Sequence, residues 1–351
     1  MNISATPTEL RARALTDLRM GLPVVLDGPV PTLVFAVETL SADRFNAVKS
    51  DPNACLVLTD WRARTLKTPV YDGDVTRLCL PAAADVIWLR AMADPTLDMR
   101  HPMKGPFQSV RNGDATAARA GVALAKDAHL LPAVLTVPAL QPDASLTRIP
   151  IDVANIPGME DVAAAGLPLE VSSQGRLSIF RPTAGGEEHY AVEIGTPDRN
   201  APVLVRLHSA CFTGDVLGSL KCDCGPQLRG ALAQMGTEGS GILLYLNQEG
   251  RGIGLANKMR AYALQSQGFD TVEANHRLGF EDDERNFEIG SDILRKLGVS
   301  QVRLLTNNPA KIERLSRAGI EVVERIPLQI APQRYNEHYL ATKSKKSGHL
   351  L

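Results

Sequence analysis

Apolar and polar positions in the first third of the chain alternate between amphipathic stretches and short apolar runs. "ELRARALTDLRMG" and "ADRFNAVKSD" read as helices, whereas "PVVLDG", "TLVFAVETLS" and "ACLVLTDW" are short apolar segments bounded by turn formers. A further helical stretch, "DATAARAGVALAKDAHL", leads into the strand-like "LPAVLTVP". This alternation predicts an α/β arrangement. Periodicity then fades through the proline-bearing "ALQPDASLTRIPIDVANIPGMED", which predicts a first domain over 1–140, a linker over 141–171 and a second domain over 172–351.

The second part opens with "LSIFRP" and "HYAVEIG", two alternating segments around "TAGGEE" that predict a hairpin. "VLVRLHS" and "GILLYLNQ" read as strands flanking the helix "PQLRGALAQMGTEG". There Pro226 suits a first helical turn and Gly239 falls just past the end. The next helix, "LANKMRAYALQSQG", places Leu255, Met259, Tyr262 and Ser266 on one face, with Ala263 beside them. After "NFEIGSDILRKLG", the run "VRLLTNN", "AKIERLSRAG", "IEVVERIPL" predicts a compact βαβ unit. The expected fold is therefore α/β in two domains, each a mixed sheet with packed helices. The polar, basic end "ATKSKKSGHLL" predicts a mobile tail from about residue 340.

Composition narrows the class. The chain has 351 residues, 44% of them apolar and 22% charged, as in ordinary two-domain globular proteins. A net charge of −1 provides no general basic field for nucleic acid or an anionic membrane. The first residues lack the apolar core and basic flank of a signal peptide, and no apolar run is long enough to cross a bilayer. Five cysteines, an odd number with three crowded together, do not make a disulfide framework; they suit a reducing, cytoplasmic setting. Cys55 and Cys79 sit in apolar runs and read as inert core thiols.

The chemistry concentrates in "HSACFTGDVLGSLKCDCG". Cys211, Cys222 and Cys224 have a C-x10-C-x-C spacing that differs from paired C-x-x-C fingers. Two readings stand side by side. A closed structural zinc site would take His208, Asp215 or Asp223 as its fourth ligand; an open site would leave a position for an activated water. The small neighbours Ser209, Thr213, Gly214, Gly218 and Gly225 favour the open one, since they let backbone approach a ligand. "NQEGRGIGLANK" puts Glu249, Gly250 and Arg251 at a strand end, and "LLTNNPAKIERL" does the same with Thr306, Pro309 and Lys311. Both are places for an anion, although an ordinary turn explains each segment taken singly. In "GFEDDERNFEIG" the acids Glu281 to Glu284 fit a helix start, but Arg285 beside them does not.

Taken together, "VRLHSACFTGDVLGSLKCDCGPQL", "NQEGRGIGLANKMRAYALQSQGFDTVEAN", "LGFEDDERNF" and "LLTNNPAK" resemble, in order, the blocks of the GTP cyclohydrolase II family of riboflavin biosynthesis. The resemblance implies one zinc ion per chain on Cys211, Cys222 and Cys224, with a water that attacks the imidazole carbon of guanine. GTP would yield formate, pyrophosphate and a diaminopyrimidine carrying a ribosyl phosphate. It implies contacts to GTP from Arg206, Leu207, His208, Ser209, Ala210, Gln227, Glu249, Gly250, Arg251, Thr271, Thr306 and Lys311, with magnesium on the triphosphate. It also implies Asp283 as general base, Tyr262 as a helper in ring opening, and Arg285 as a nucleophile toward the α-phosphate. A guanidinium with a pKa above about 12 is a poor nucleophile, so physics alone makes Arg285 a charge stabiliser. Ala210 and Asn286 depart from the family's commonest pattern, which predicts altered affinity rather than lost chemistry. A homodimer is the implied assembly.

Residues 1–140 resemble, more faintly, 3,4-dihydroxy-2-butanone 4-phosphate synthase, through "ALTDLRMGLPVVLDG", "TLVFAVETLS" and the stretch ending in "LPAVLTVP". The acidic run that such a synthase needs is replaced by "LDGPVPTLVFAVE", whose acids are Asp27 and Glu38. That predicts a non-catalytic first domain, with His101 and His129 as surface or core residues. Two alternatives remain: a GTP-binding regulatory protein with a closed zinc, and a bifunctional enzyme with an active first domain.

Overall fold

The structure is a computed structural model that describes residues 3–152 and 158–328; the predicted tail lies outside the described residues. The chain divides into two compact units, residues 1–155 with 253–284, and residues 156–252 with 285–351. Each carries a mixed sheet with packed helices.

In the first unit six strands form one sheet: β1 (Val24–Asp27), β2 (Thr32–Ala36), β3 (Cys55–Thr59), β4 (Val75–Cys79), β5 (Ala133–Pro138) and β6 (Arg148–Pro150). Their order is β4-β3-β5-β2-β1-β6, antiparallel except for the β1–β6 pair. Helices α1 (Pro7–Arg19), α2 (Ala42–Val48), α3 (Asp60–Thr65), α4 (Val86–Ala93) and α5 (Thr116–Asp127) pack with it. The capping box of Thr6 with Glu9 and the N1 proline start α1 where the pattern predicts a helix. Cys55 and Cys79 face each other across the β3–β4 ladder, half-buried.

The second unit holds a seven-stranded sheet: β7 (Met159–Gly166), β8 (Gly175–Pro182), β9 (His189–Ile194), β10 (Val203–Ser209), β11 (Gly241–Leu246), β12 (Gln301–Leu305) and β13 (Glu321–Ile326). The order is β13-β12-β10-β11-β9-β8-β7. The β8–β9 hairpin and the parallel β12–β13 pair match the predicted hairpin and βαβ unit. Helix α6 (Cys224–Glu238) starts two residues before Pro226 and ends on Gly239, whose φ of 82° is the left-handed cap expected there.

Two features differ from the expected domain division. The expected linker contributes β6, which pairs with β1, and β7, which pairs with β8. β6 is a three-residue edge strand ending in a proline, too short to announce a period, and β7 is exposed along all but its first residue. More consequentially, α7 (Leu255–Gln265) and α8 (Thr271–Leu278) lie between β11 and β12 in sequence but belong to the first unit. Ile253, Ala261, Leu264, Ala274, Leu278 and Phe280 join the core built around Phe35, Leu56 and Leu135. Burying Leu264, Leu278 and Phe280 alone contributes about 6 kcal/mol, comparable with the whole stability of a domain. The buried face of α7 is Asn257, Lys258, Ala261 and Leu264, while Leu255 and Met259 are exposed. The chain then returns to the second unit with α9 (Glu288–Lys296) and α10 (Pro309–Arg317). Among the described residues, no helix is long and apolar enough to cross a membrane.

Candidate functional site

In the second unit β10 runs parallel to both neighbours, β11 on one side and β12 on the other. The chain leaves β10 for β11 and later arrives at β12 across the opposite edge. The carboxyl ends of β10 and β12 therefore flank a topological switch point, where open α/β sheets place their ligands. β10 ends with Ser209, and Cys211 follows two residues later. A π-helical turn at Phe212–Val216 then reverses the chain.

The three cysteine sulfurs converge, all within 4.8 Å of one another, with Cys211 and Cys222 3.7 Å apart. Gly214 makes this approach possible. A Cβ there would stand 2.7 Å from the Cys222 sulfur and 3.1 Å from that of Cys211. The Cys211 thiol against it raises the pKa of Cys222, because packed sulfurs resist ionising together. A divalent cation reverses that balance, and Cys224 opens α6, where the helix dipole favours a thiolate. Three convergent sulfur donors of this kind fit zinc.

Asp215 and Asp223 are engaged elsewhere. Asp215 accepts hydrogen bonds from the Cys211 amide at 2.9 Å and the Tyr245 hydroxyl at 3.0 Å, and its carboxylate lies 3.1 Å from His208 Nε2. Burial lowers the His208 pKa despite Asp215, and raises that of Tyr245, with Asp215 adding to the rise. Asp223 accepts from Gln227 Nε2 at 2.6 Å.

Cationic groups gather at the carboxyl end of β10. Arg206 is buried on β10, donating from Nη1 to the Leu305 carbonyl at 2.9 Å and from Nη2 to Gln227 Oε1 at 2.5 Å. Among the described residues its Nε has no hydrogen-bond partner, and burial lowers its pKa to about 10. Lys311 on α10 donates to the Leu207 carbonyl at 2.9 Å. Asn308 caps α10 through the Ala310 amide, and Thr306 Oγ1 accepts from the Asn308 amide at 3.0 Å. Arg285 Nη1 donates to Ser209 Oγ at 3.1 Å, and its guanidinium lies 4.9 Å from the Phe287 ring centre. Glu249 accepts from the Phe212 and Gly250 amides, at 2.6 and 3.0 Å. Gly250 and Arg251 both have φ of 64°, a left-handed pair that glycine adopts freely and Arg251 adopts at a cost.

The second unit thus holds Arg206 to Ala210, the three cysteines, Gln227, Glu249 to Arg251, Arg285, Thr306 and Lys311. Tyr262, Thr271 and Asp283 belong to the first unit. Tyr262 is half-buried on α7, with Lys258 Nζ 5.7 Å from its ring centre; Thr271 opens α8 and accepts from Gln265 Nε2 at 3.3 Å. The acids before Arg285 do not cap α9 as expected. Glu284 meets Lys126 of α5 at 2.6 Å and Asp282 meets His276 at 2.9 Å, while the side chain of Asn286 accepts from the Glu288 amide. Sequence reading missed Tyr245 and Gln248. The Gln248 amide exchanges two hydrogen bonds with the Asn286 backbone, at 2.7 and 2.9 Å. A tyrosine in the otherwise apolar "GILLYL" was the available signal for Tyr245, since parallel pairing sets it opposite His208.

The fold and the site together describe an α/β protein in which three convergent thiols that could hold a metal ion and a buried guanidinium lie in the unit that carries the switch point. Residues 160–327 match the family GTP cyclohydrolase II. A GTP cyclohydrolase-2 from Azospirillum brasilense is 42% identical over 97% of this chain and 93% of its own length. Those from Shigella boydii serotype 18 and Escherichia coli K12 are each 59% identical over 172 residues, 49% of this chain and 88% of theirs. A solved two-domain 3,4-dihydroxy-2-butanone 4-phosphate synthase from A. baumannii aligns over 90% of this chain and 99% of its own, at 18% identity and a TM-score of 0.31. The chain belongs to the GTP cyclohydrolase II family.

Proposed function

We infer that the protein hydrolyses GTP to formate, pyrophosphate and a diaminopyrimidine ribosyl phosphate, the entry reaction of riboflavin biosynthesis. The observation that carries this is the convergence of Cys211, Cys222 and Cys224 beside the buried Arg206 in a chain of this family. Zinc held by the three thiolates would supply a Lewis acid and, at neutral pH, an activated water.

The chain's own groups supply the rest. Arg206, Arg285 and Lys311 would offset the triphosphate charge, with magnesium accompanying it. Arg285 already rests on Ser209 and Phe287, which suits a fixed charge stabiliser more than a neutral nucleophile. Glu249 and the left-handed Gly250–Arg251 turn would meet the guanine edge or a phosphate through side chain and backbone. By family correspondence, Asp283 and Tyr262 would move protons during ring opening and Thr271 would contact GTP. Thiol ligands require a reducing setting, which supports a cytoplasmic enzyme, and the family supports a homodimer.

Formate and pyrophosphate counted per GTP consumed test the reading. Equal release of both, abolished by a chelator and restored by zinc, is expected. Cys222→Ala should lose both zinc and formate release while α6 and the sheet persist by circular dichroism. GTP turnover in zinc-free protein would refute it.

A further inference from the structure

The first unit presents a puzzle of its own. Its N-terminal part lacks the acidic run of the synthase it resembles, yet it is tied by directional polar bonds to residues 253–284. Asn257 Nδ2 donates to the His129 carbonyl at 3.0 Å, beside Gly254, where a Cβ would stand 2.9 Å from that of His129. Arg260 donates to Glu38 at 2.8 Å and to Asp94 at 3.2 Å. Lys126 donates to Glu284 at 2.6 Å. His276, which binds Asp282, stacks on Trp61 with ring centres 3.6 Å apart and planes 5° from parallel.

An apolar face alone would hold the segment for stability. Three polar anchors and one ring stack fix instead where particular residues lie, because each works at a narrow range of geometry. The last two bracket one residue. Asp282 is held through His276 and Trp61, and Glu284 through Lys126, so the backbone of Asp283 is pinned from both sides. Arg260 does the same for α7, half a turn before Tyr262.

We propose that the N-terminal part of the chain serves the cyclohydrolase reaction by positioning the segment 253–284. Glu38, Trp61 and Lys126 are its positioning residues; Glu38, one of two acids left from the synthase-like stretch, now holds Arg260. The proposal rests on the GTP hydrolase reading, in which Asp283 and Tyr262 act on the substrate.

The test uses the full-length, zinc-loaded protein with Lys126→Met and Lys126→Arg. Steady-state formate release, zinc content and hydrogen exchange of peptides covering residues 278–290 are measured on each. Lys126→Met should lower kcat by about tenfold to a hundredfold with KM for GTP within about threefold. Zinc content should stay at the wild-type level and exchange around Asp283 should rise. Lys126→Arg, which restores a cation for Glu284, should recover most of the rate. If Lys126→Met does not fold, Glu284→Gln is judged by the same criteria. Faster exchange with kcat within about twofold of wild type, or unchanged exchange, would overturn the positioning role. Wild-type protein that releases no formate at all would instead remove the hydrolase reading on which the proposal stands.

Discussion

Two buried arginines, one in each unit, differ in how the surrounding structure meets their charge. Arg62 on α3 is 1% exposed, and every nitrogen of its guanidinium is used. Nε and Nη2 donate to the Met92 and Ala91 carbonyls, while Nη1 and Nη2 grip both oxygens of Asp98, which also accepts from Lys104. Burial pushes the Asp98 carboxyl up, but Arg62 and Lys104 overcome this and hold it below its ordinary value. Arg206 on β10 is 6% exposed and, among the described residues, donates to neutral oxygens, while its Nε meets none. A fold that buries a charge for its own sake closes the network. The open network of Arg206 is what the proposed role in meeting the GTP triphosphate calls for.

Methionine at each position should separate the two cases. Arg62→Met leaves Asp98 held by Lys104 alone and takes the guanidinium donors from the Met92 and Ala91 carbonyls, and should lower unfolding free energy by about 3–5 kcal/mol in guanidinium titrations. Formate release by the surviving folded protein should be little changed. Arg206→Met should do the reverse, leaving the unfolding midpoint level or higher while kcat/KM for GTP falls on the order of a hundredfold or more. Comparable losses of stability in both variants would erase the distinction.

Local chemistry was legible in the sequence, and long-range assignment was not. The C-x10-C-x-C spacing pointed to a cluster, and the three sulfurs do converge, while the glycine after α6 marked a helix end by backbone sterics. The second unit's hairpin and βαβ unit followed from periodicities that extend over neighbours in sequence. By contrast, nothing local in "LANKMRAYALQSQG" says that it packs in the first unit. Its buried face carries Asn257 and Lys258 and its exposed face carries Leu255 and Met259, the opposite of an amphipathic reading. Asn257 is buried where the distant His129 carbonyl receives it. The acids of "EDDE" misled for the same reason, since their partners are Lys126 and His276 and not the amides of α9.

Histidines sharpen the same contrast at smaller scale. His189 on β9 is buried, and burial alone lowers its pKa from 6.5 to about 4. Its Nδ1 accepts from the Asn247 amide at 3.0 Å, a bond that only an unprotonated Nδ1 can take. The unfolded chain binds a proton at this residue below pH 6.5 and the folded one does not until about pH 4. Stability should therefore fall as pH drops through that window, by about 3 kcal/mol at most, with no further loss from this group below it. His189→Gln, which retains an acceptor, should flatten the window in urea titrations between neutral and acidic pH. An unchanged acid limb would show that some other group sets it.

The smallest effect is expected where the synthase resemblance would place the largest. Asp27, at the end of β1, pairs with Arg148 at 2.5 Å, both about two-fifths exposed. Exposed pairs contribute about 0.5 kcal/mol or less, so Asp27→Asn should leave stability and formate release within error of wild type. The other acid of that stretch, Glu38, is occupied by the Leu131 amide and Arg260. Each carboxylate therefore has a partner within the first unit. Incubation with ribulose 5-phosphate and magnesium decides the matter directly. A product that appears with wild type and vanishes with Asp27→Asn would mean that the first unit kept a reaction of its own, and that its paired charges open when that substrate arrives.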